Sequence, residues 1–166
     1  MYYFRMIDGI DLEILKMLQS NARVSNAEIA RQVDLAPSAV FERIRKLEER
    51  GVIEGYSARI NPAAVELPLL AFVFVRDSDG PGADQSARRV AEIPEVLEVH
   101  HVAGEDGFLA KVRAKDTESL GRLLRDRIGR IDSITSTRTT IVLGTVKEGS
   151  HLPIEAPAPA SEPVRV

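Results

Sequence analysis

Side chains that could contact nucleic acid are concentrated in one short segment, between residues 37 and 50. Val40, Ile44 and Leu47 recur there at helical spacing, which predicts a helix with one buried apolar stripe. Pro37 suits the first turn of that helix, because its missing N–H would have no partner at that position. A step of about 100° per residue turns the remaining side chains outward. That outward face carries Ser38, Glu42, Arg45 and Glu49, flanked by Ala39 and Lys46.

The residue types on this face match the chemistry of base and phosphate recognition. Arg45 and Lys46 could address guanine edges or phosphates, and Glu42 could accept a hydrogen bond from cytosine. Ser38, near the start of the helix, could donate a hydrogen bond to a phosphate. The alternative is the solvated face of an ordinary three-helix core, and the pattern alone leaves both open. The candidate DNA-binding residues are Ser38, Ala39, Glu42, Arg43, Arg45 and Lys46.

Two further helices must precede this one to position it. Apolar residues at helical spacing predict the first helix, with Asp8 as its N-cap. Residues 25–28 fit a capping box at the start of the second, and residues 34–36 break that helix before the third. Gly51 ends the third helix, and residues 52–60 alternate loosely like a small hairpin. This arrangement predicts a winged helix-turn-helix domain, in which the second helix of the motif enters the major groove.

The second half of the chain changes to β-rich segments that alternate with helical ones. The predicted order is β-α-β-β-α-β, the ferredoxin-like arrangement, so the fold class is α+β. Strands are expected at residues 67–76, 96–102, 108–114 and 134–146, and helices at 83–93 and 117–130. The predicted boundaries are a helix-turn-helix domain at 1–60, a linker at 61–66, the βαββαβ domain at 67–148 and a disordered Pro- and Ala-rich tail at 149–166.

Composition narrows the class of protein without deciding its partner. The chain has 166 residues, no cysteine and a net charge of −3, so disulfides and thiolate metal sites are excluded. No apolar run approaches the ~20 residues of a membrane span, and the first residues lack the layout of a signal peptide, so a soluble cytoplasmic protein is expected. The negative charge argues against nucleic acid, but residues 1–60 carry nine basic and nine acidic side chains and are neutral. Four of the basic ones are bunched on the third helix and at its end: Arg43, Arg45, Lys46 and Arg50.

The motifs together resemble the Lrp/AsnC (feast/famine) family of transcription regulators. The resemblance covers about residues 6–148 and both domains in order. It implies DNA binding, a βαββαβ effector domain and a homodimer, possibly assembled further to an octamer through pairing of the sheets. It also implies a small-molecule effector, often an amino acid, held between subunits. The matching stretches are residues 7–11, 18–19, 21–26, 28–30, 33, 35–40, 42–48, 51–53, 55–56 and 61–62, and in the second half 137–143 and 146–147.

The resemblance also points to an effector loop, with two departures from the family pattern. The family pattern after the second strand is Gly-acid-aromatic-Asp-aromatic, and here Asp106 stands at the middle aromatic position and Gly107 at the Asp position. A glycine turn exposes backbone N–H groups to a carboxylate, and an acid can hold an ammonium group. Thr137 and Thr139 share one face of the last strand and could add hydroxyls. The candidate effector-binding residues are Gly104, Glu105, Asp106, Gly107, Phe108, Thr137 and Thr139. A third departure is Ala36, where the family often caps the third helix with Ser.

Two alternatives compete with a ligand-responsive regulator. Some tetrapyrrole (sirohaem-type) decarboxylases share the two-domain architecture and depend on basic and histidine side chains. Here His100 and His101 are adjacent in a predicted strand and point to opposite faces, so they cannot both ligate one metal. A scaffold that has lost DNA binding is disfavoured by the intact third helix. A non-enzymatic regulator without metal or cofactor, whose partners are promoter DNA, an effector and its own copies, is therefore expected.

Overall fold

The computed structural model describes residues 7–78, 84–104 and 107–154, which fall into two compact units. Of these described residues, 7–58 and 148–154 form the first unit, and those between 59 and 147 form the second. Within the first unit, the Gln19 side-chain amide accepts from the N–H of Leu152 at 2.8 Å and donates to its carbonyl at 3.2 Å. The rest of the predicted tail, residues 155–166, lies outside the described residues. In the described ranges every helix is too short or too polar to cross a bilayer.

The first unit is built from three helices: α1 Gly9–Ser20, α2 Asn26–Val33 and α3 Pro37–Glu49. Asp8 caps α1 as predicted, and Asp8 and Asp11 exchange side-chain bonds with each other's backbone N–H in a full capping box. At α2 only half of the predicted box forms. Ser25 accepts from the N–H of Glu28 at 3.2 Å, but the Glu28 carboxylate pairs with Arg31 instead of returning to Ser25.

The core of the first unit forms where the apolar stripes of the three helices meet. Its buried residues are Ile14, Ile29, Ala30, Val40 and Leu47, and the predicted stripe residue Ile44 is half-buried against them. This packing confirms the inward face of α3 that was predicted from helical spacing. It also fixes which side chains of α3 remain exposed.

The small hairpin predicted at residues 52–60 is wrong, since no strand forms anywhere in that described segment. Gly51 takes a φ of +67°, which closes α3 with the chain in the left-handed region. The N–H groups of Val52 and Ile53 then both donate to the carbonyl of Leu47, at 2.9 and 3.2 Å. Their side chains pack on the helical core, so these residues cap a helix and are not available to a hairpin ladder.

The second unit is a four-stranded antiparallel sheet with helices on one face. Its order β2-β3-β1-β4, with all pairs antiparallel, confirms the ferredoxin-like fold. A short 3₁₀ helix, Pro62–Val65, precedes the sheet within the segment predicted as a linker. The elements are β1 Leu69–Asp77, α4 Gln85–Ala91, β2 Val96–His101, β3 Phe108–Ala114, α5 Thr117–Arg122 and β4 Ile134–Ile141. β4 ends five residues before the predicted boundary, and α5 continues to Arg130 as π-helical and 3₁₀ turns.

The two faces of the sheet differ because successive side chains of a strand alternate. On one face Val73, Val75 and their neighbours on β3 pack against the helices in a closed core. The opposite face presents Phe72, Phe74 and, across β1 and β3, Leu109, all of them partly exposed. The Arg138 guanidinium lies 4.0 Å from the centre of the Phe74 ring on that second face.

Replacement of Ala36 by serine should stabilise the first unit. Ala36 is the N-cap of α3, with extended φ and ψ and no side-chain hydrogen bond, so a hydroxyl there can accept from an N–H of the first turn. We expect Ala36→Ser to raise the free energy of unfolding by about 0.5–2 kcal/mol, measured by chemical denaturation. Ala58→Ser, outside any helix, is the matched control. Equal curves for the two variants would contradict the assignment of an uncapped helix.

Candidate nucleic-acid interface and effector region

Arg45 lies at the centre of the outward face of α3, held between two carboxylates. Its Nη2 donates to Glu42 Oε2 and its Nη1 donates to Glu49 Oε1, each at 2.7 Å. The three residues follow i, i+3 and i+7 spacing and therefore form a column along one side of the helix. The hydrogen bond to Glu42, aided by the negative charge of both acids, raises the pKa of Arg45. Ser38 is exposed at the start of the same face, as predicted.

Arg43 does not share that face, although it is one of the predicted DNA-binding residues. Its Nη1 donates to Asp8 Oδ2 and to Asp11 Oδ1, both at 2.7 Å, which joins α3 to the first turn of α1. Asp11 is buried and Arg43 is half-buried, so these bonds lie partly out of water. Its hydrogen bond to Asp8 is the main reason that the pKa of Arg43 is raised. We infer that Arg43 positions α3 and that its guanidinium is not free for DNA.

The pKa of Asp8 reports the same contact from the other side. Burial by itself raises this pKa, but hydrogen bonds from the Asp11 N–H and from Arg43, together with the Arg43 charge, bring it below its ordinary value. Asp8 is consequently a carboxylate at neutral pH, with its charge shared between the cap of α1 and Arg43.

Three other residues complete the surface of α3. Lys46 is exposed, and within the described residues its ammonium group has no ion-pair partner. Ala39 is half-buried and lines a shallow cleft between α1 and α3, together with Asp11 and Arg50. Phe41 is 53% exposed and was missed in the sequence. The sequence feature that could have revealed it is its position. Phe41 follows Val40 directly and therefore lies about 100° away from the buried stripe, where an aromatic core side chain is not expected.

The candidate effector loop is described at its two ends. Gly104 has a φ of +140°, a conformation that side-chain-bearing residues rarely adopt. Glu105 and Asp106 lie outside the described residues. The N–H of Gly107 donates to the carbonyl of Val75 at 2.9 Å, which anchors the loop to β1. Phe108 is fully buried in the sheet core, so its ring supports the loop and does not face solvent.

The two candidate threonines lie on the other side of β1. Thr137 pairs with Val75 and Thr139 with Val73, so both threonines share one face of β4, as expected from strand alternation. Val75 therefore has the end of the loop on one flank and Thr137 on the other. The end of the loop on β3 and Thr137 on β4 are separated by two strand spacings, about 9–10 Å. The sheet therefore brings the end of the loop and the two threonines into the same region without placing them in contact.

An acid that sequence reasoning did not select lies beside the loop. A Cβ built on Gly107 would be 3.6 Å from the Asp77 Oδ1, so the Asp77 carboxylate occupies the space next to this glycine. Its other oxygen accepts from the hydroxyl of the buried Ser86 at 2.6 Å. Asp77 is only half-buried. Gly107 stands where the family pattern has Asp, and the Asp77 carboxylate lies beside it, so an acid is present in this region after all.

The adjacent histidines each have their own acidic neighbour. His100 Nε2 lies 3.4 Å from Glu98 Oε2, and His101 Nε2 lies 3.2 Å from Asp84 Oδ1. The two rings point to opposite sides of β2, as strand alternation requires. Across residues 7–78, 84–104 and 107–154, no group of three His, Cys, Asp or Glu side chains has the arrangement of a metal site.

Comparisons with known proteins cover both units. The family described as Lrp/AsnC ligand binding domain matches residues 70–152, and winged helix-turn-helix DNA-binding matches residues 7–54. The chain is 40% identical over 149 residues to the HTH-type transcriptional regulator FL11 of Pyrococcus horikoshii, covering 90% of this chain and 97% of that one. It is 36% identical over 151 residues to the leucine-responsive regulatory protein of Escherichia coli, covering 90% and 92%.

Solved structures agree in fold and order of domains. A transcriptional regulator of Neisseria meningitidis in complex with L-methionine superposes with a TM-score of 0.83 at 30% identity, covering 89% of this chain and 97% of that one. A feast or famine regulatory protein of M. tuberculosis, also complexed with L-methionine, gives 0.82 at 38% identity, covering 89% and 100%.

Loss of Arg43 should cost stability, whereas loss of Arg45 should not. Arg43→Ala leaves Asp11 buried without its partner, and we expect a loss of about 1–3 kcal/mol in the free energy of unfolding. Arg45→Ala removes only exposed pairs and should stay within about 0.5 kcal/mol. Both are measured by urea denaturation at pH 7. A larger loss for Arg45→Ala than for Arg43→Ala would contradict the roles given to the two residues.

The penalty of Arg43→Ala should also depend on pH. Because the pKa of Asp8 is lowered in the folded state, its ion pair stabilises fully above the pKa of the unfolded chain. That contribution is lost as the pH falls through the folded pKa. The difference between wild type and Arg43→Ala should therefore shrink below about pH 4.

Proposed function

Since the chain belongs to the Lrp/AsnC family and is a DNA-binding transcriptional regulator, we propose that α3 is the element that reads its DNA. The observation that carries this proposal is the exposed polar face of α3 within a helix-turn-helix unit. The second helix of this motif lies in the major groove, with its N-terminal residues at the base edges. The match of residues 70–152 to the Lrp/AsnC ligand binding domain, and the two similar structures that hold L-methionine, support a regulator whose DNA binding or assembly responds to a small effector.

Each side chain of that face has a distinct proposed role. Arg45 donates hydrogen bonds to the edge of a guanine, and Glu42 accepts a hydrogen bond from the amino group of a cytosine. Lys46 and Ser38 contact phosphates and set the register of the helix on the duplex. Phe41, being apolar and exposed, suits contact with a thymine methyl group. Arg43, by contrast, acts through the position of α3.

The open face of the sheet supports a proposed homodimer. Phe72, Phe74 and Leu109 form partly exposed apolar surface on the side away from the helices, and apolar surface of this kind is stabilised by a protein partner. A dimer carries two copies of α3, which suits a pseudo-palindromic site with half-sites about one helical turn apart. Association of dimers, up to an octamer, would add further DNA-binding units to one assembly.

An amino acid is the effector class that we propose, because two of the similar structures hold L-methionine. Gly104, at the described start of the loop, would offer its backbone N–H group to the effector carboxylate, whereas the N–H of Gly107 is already bonded to Val75. Asp77 accepts from Ser86 through Oδ2 and has its Oδ1 beside Gly107, so it is the described acid best placed to hold the ammonium group of the effector. Effector binding shifts DNA affinity only if the effector prefers one arrangement of the assembly over another.

The relatives favour a regulator over an enzyme. The similar proteins reported above are named transcriptional regulators, and no observation on the described residues favours a tetrapyrrole decarboxylase. We infer that the protein acts by binding, without catalysis, and that it does so in the cytoplasm where its DNA is.

The DNA-binding proposal predicts different losses for two neighbouring cations. Arg45→Ala should weaken binding to the protein's own promoter by about 1–3 kcal/mol and relax the preference for one base pair. Lys46→Ala should weaken binding to all sequences alike and reduce the slope of log affinity against log salt by about 1. Fluorescence anisotropy at several salt concentrations measures both. Unchanged promoter affinity in Arg45→Ala would refute the assignment of α3.

The effector proposal is tested with a panel of amino acids. At least one, with methionine and leucine tried first, should raise the melting temperature and change either promoter affinity or assembly size. Asp77→Asn keeps an acceptor for Ser86 but removes the charge, so it should blunt this response, as should Glu105→Ala. Asp132→Asn, on an exposed acid of the same unit, is the control. If no amino acid causes a shift in wild type, the effector class is wrong.

The dimer proposal is tested by charge on the open sheet face. Phe74→Glu and Leu109→Glu each place a carboxylate in the proposed contact, so sedimentation should show a smaller assembly than wild type. Arg89→Glu, on the exposed side of α4, is the control and should leave the mass unchanged. Circular dichroism checks that the variants fold. Wild-type mass in both folded sheet variants would exclude this face as the interface.

A further inference from the structure

The column Glu42–Arg45–Glu49 divides the donors of one guanidinium between two acids. Glu42 takes Nη2 and Glu49 takes Nη1, both at 2.7 Å, and all three side chains are about half exposed. A guanidinium has five N–H donors in a fixed planar fork. Nη2 and Nε–H lie on the same side of that fork, whereas Nη1 points away from it. The two acids therefore hold different edges of Arg45.

We propose that Glu49 is a positioning residue for DNA specificity, which keeps Arg45 oriented for a guanine edge after Glu42 has left it. This inference rests on the proposed function of α3. Glu42 lies one turn nearer the start of the helix, where recognition helices meet base edges, so Glu42 can exchange Arg45 for a cytosine amino group. That exchange frees the Nη2 and Nε–H edge, whose two parallel N–H groups can both bond to one guanine.

Glu49 has no such exchange available. It lies seven residues beyond Glu42, about 10 Å further along the helix axis, near the end of α3. It can keep its bond to Nη1 while the opposite edge of the guanidinium contacts DNA. A long side chain held in this way loses less rotamer freedom on binding, and pre-organisation of that kind strengthens the bound state.

On DNA without the matching base pair, the Glu49 carboxylate disfavours binding. Phosphate attraction supplies most non-specific affinity, and it acts over a Debye length of about 8–10 Å. Glu42, Arg45 and Glu49 together carry a net charge of −1 while they are paired, so they offer no attraction to the backbone. Glu49 thus favours the matched complex and disfavours the unmatched one.

The test compares Glu49→Ala and wild type on the promoter duplex and on a scrambled duplex of equal length. We expect the promoter affinity to fall about 3–10-fold and the scrambled affinity to stay equal or rise, so that the specificity ratio falls about tenfold, or ~1.4 kcal/mol. Glu49→Gln keeps a carbonyl acceptor for Nη1, so it should restore part of the promoter affinity. Glu118→Ala breaks an equivalent exposed pair with Arg122 in the second unit and should leave the ratio unchanged.

The double variant Arg45→Ala/Glu49→Ala decides whether Glu49 acts through Arg45. Its specificity ratio should equal that of Arg45→Ala alone, because the residue that Glu49 orients is then absent. An equal change on both duplexes in Glu49→Ala, or an additive loss in the double variant, would overturn the proposal. Failure of the proposed function looks different: wild type itself would then bind both duplexes alike, or Arg45→Ala would bind the promoter as wild type does.

Discussion

The ion pair between Arg43 and the first turn of α1 is the contact on which the direction of the outward face of α3 depends. Asp11 both accepts from Arg43 and completes the capping box with Asp8. The same pair of acids therefore caps the start of α1 and holds α3 in place. α3 has no side-chain cap of its own at Ala36. Its position therefore depends on the packing of Val40 and Leu47 and on this ion pair. Because Arg43 lies in the middle of α3, its bonds to α1 fix the direction in which Glu42, Arg45 and Glu49 point.

Periodicity predicted the elements well because it is a local property. The apolar stripe at Val40 and Leu47, and the β-rich runs that became β1 and β3, are recorded in neighbouring residues and needed no knowledge of partners. The sheet order followed because a β-α-β-β-α-β chain has few arrangements that avoid crossing connections. The hairpin at 52–60 failed for a local reason also, since the N–H groups of Val52 and Ile53 were already committed to the end of α3.

The candidate sites were harder to predict because they depend on residues far apart in sequence. Arg43 lies at the border of the outward face, and only Asp8 and Asp11, 35 and 32 residues away, turn it inward. Gly107 looked like the loss of an acid until the fold placed Asp77 beside it. In both cases a titratable side chain was visible in the sequence, but its neighbour was brought there by tertiary packing.

The charges of α3 explain how a protein with a net charge of −3 can still read DNA. Three cations lie within the helix: Arg43 is held by two carboxylates, Arg45 is held by two more, and Lys46 alone extends to solvent without an ion-pair partner among the described residues. The helix consequently offers little attraction to phosphates in general. If α3 reads DNA as proposed, its affinity would come from base contacts that replace the broken ion pairs, and from several such helices on one DNA, where a second binding event is favoured by the first. On that proposal, the weak charge of each unit means that tight binding needs both an assembly of several units and a DNA of matching sequence.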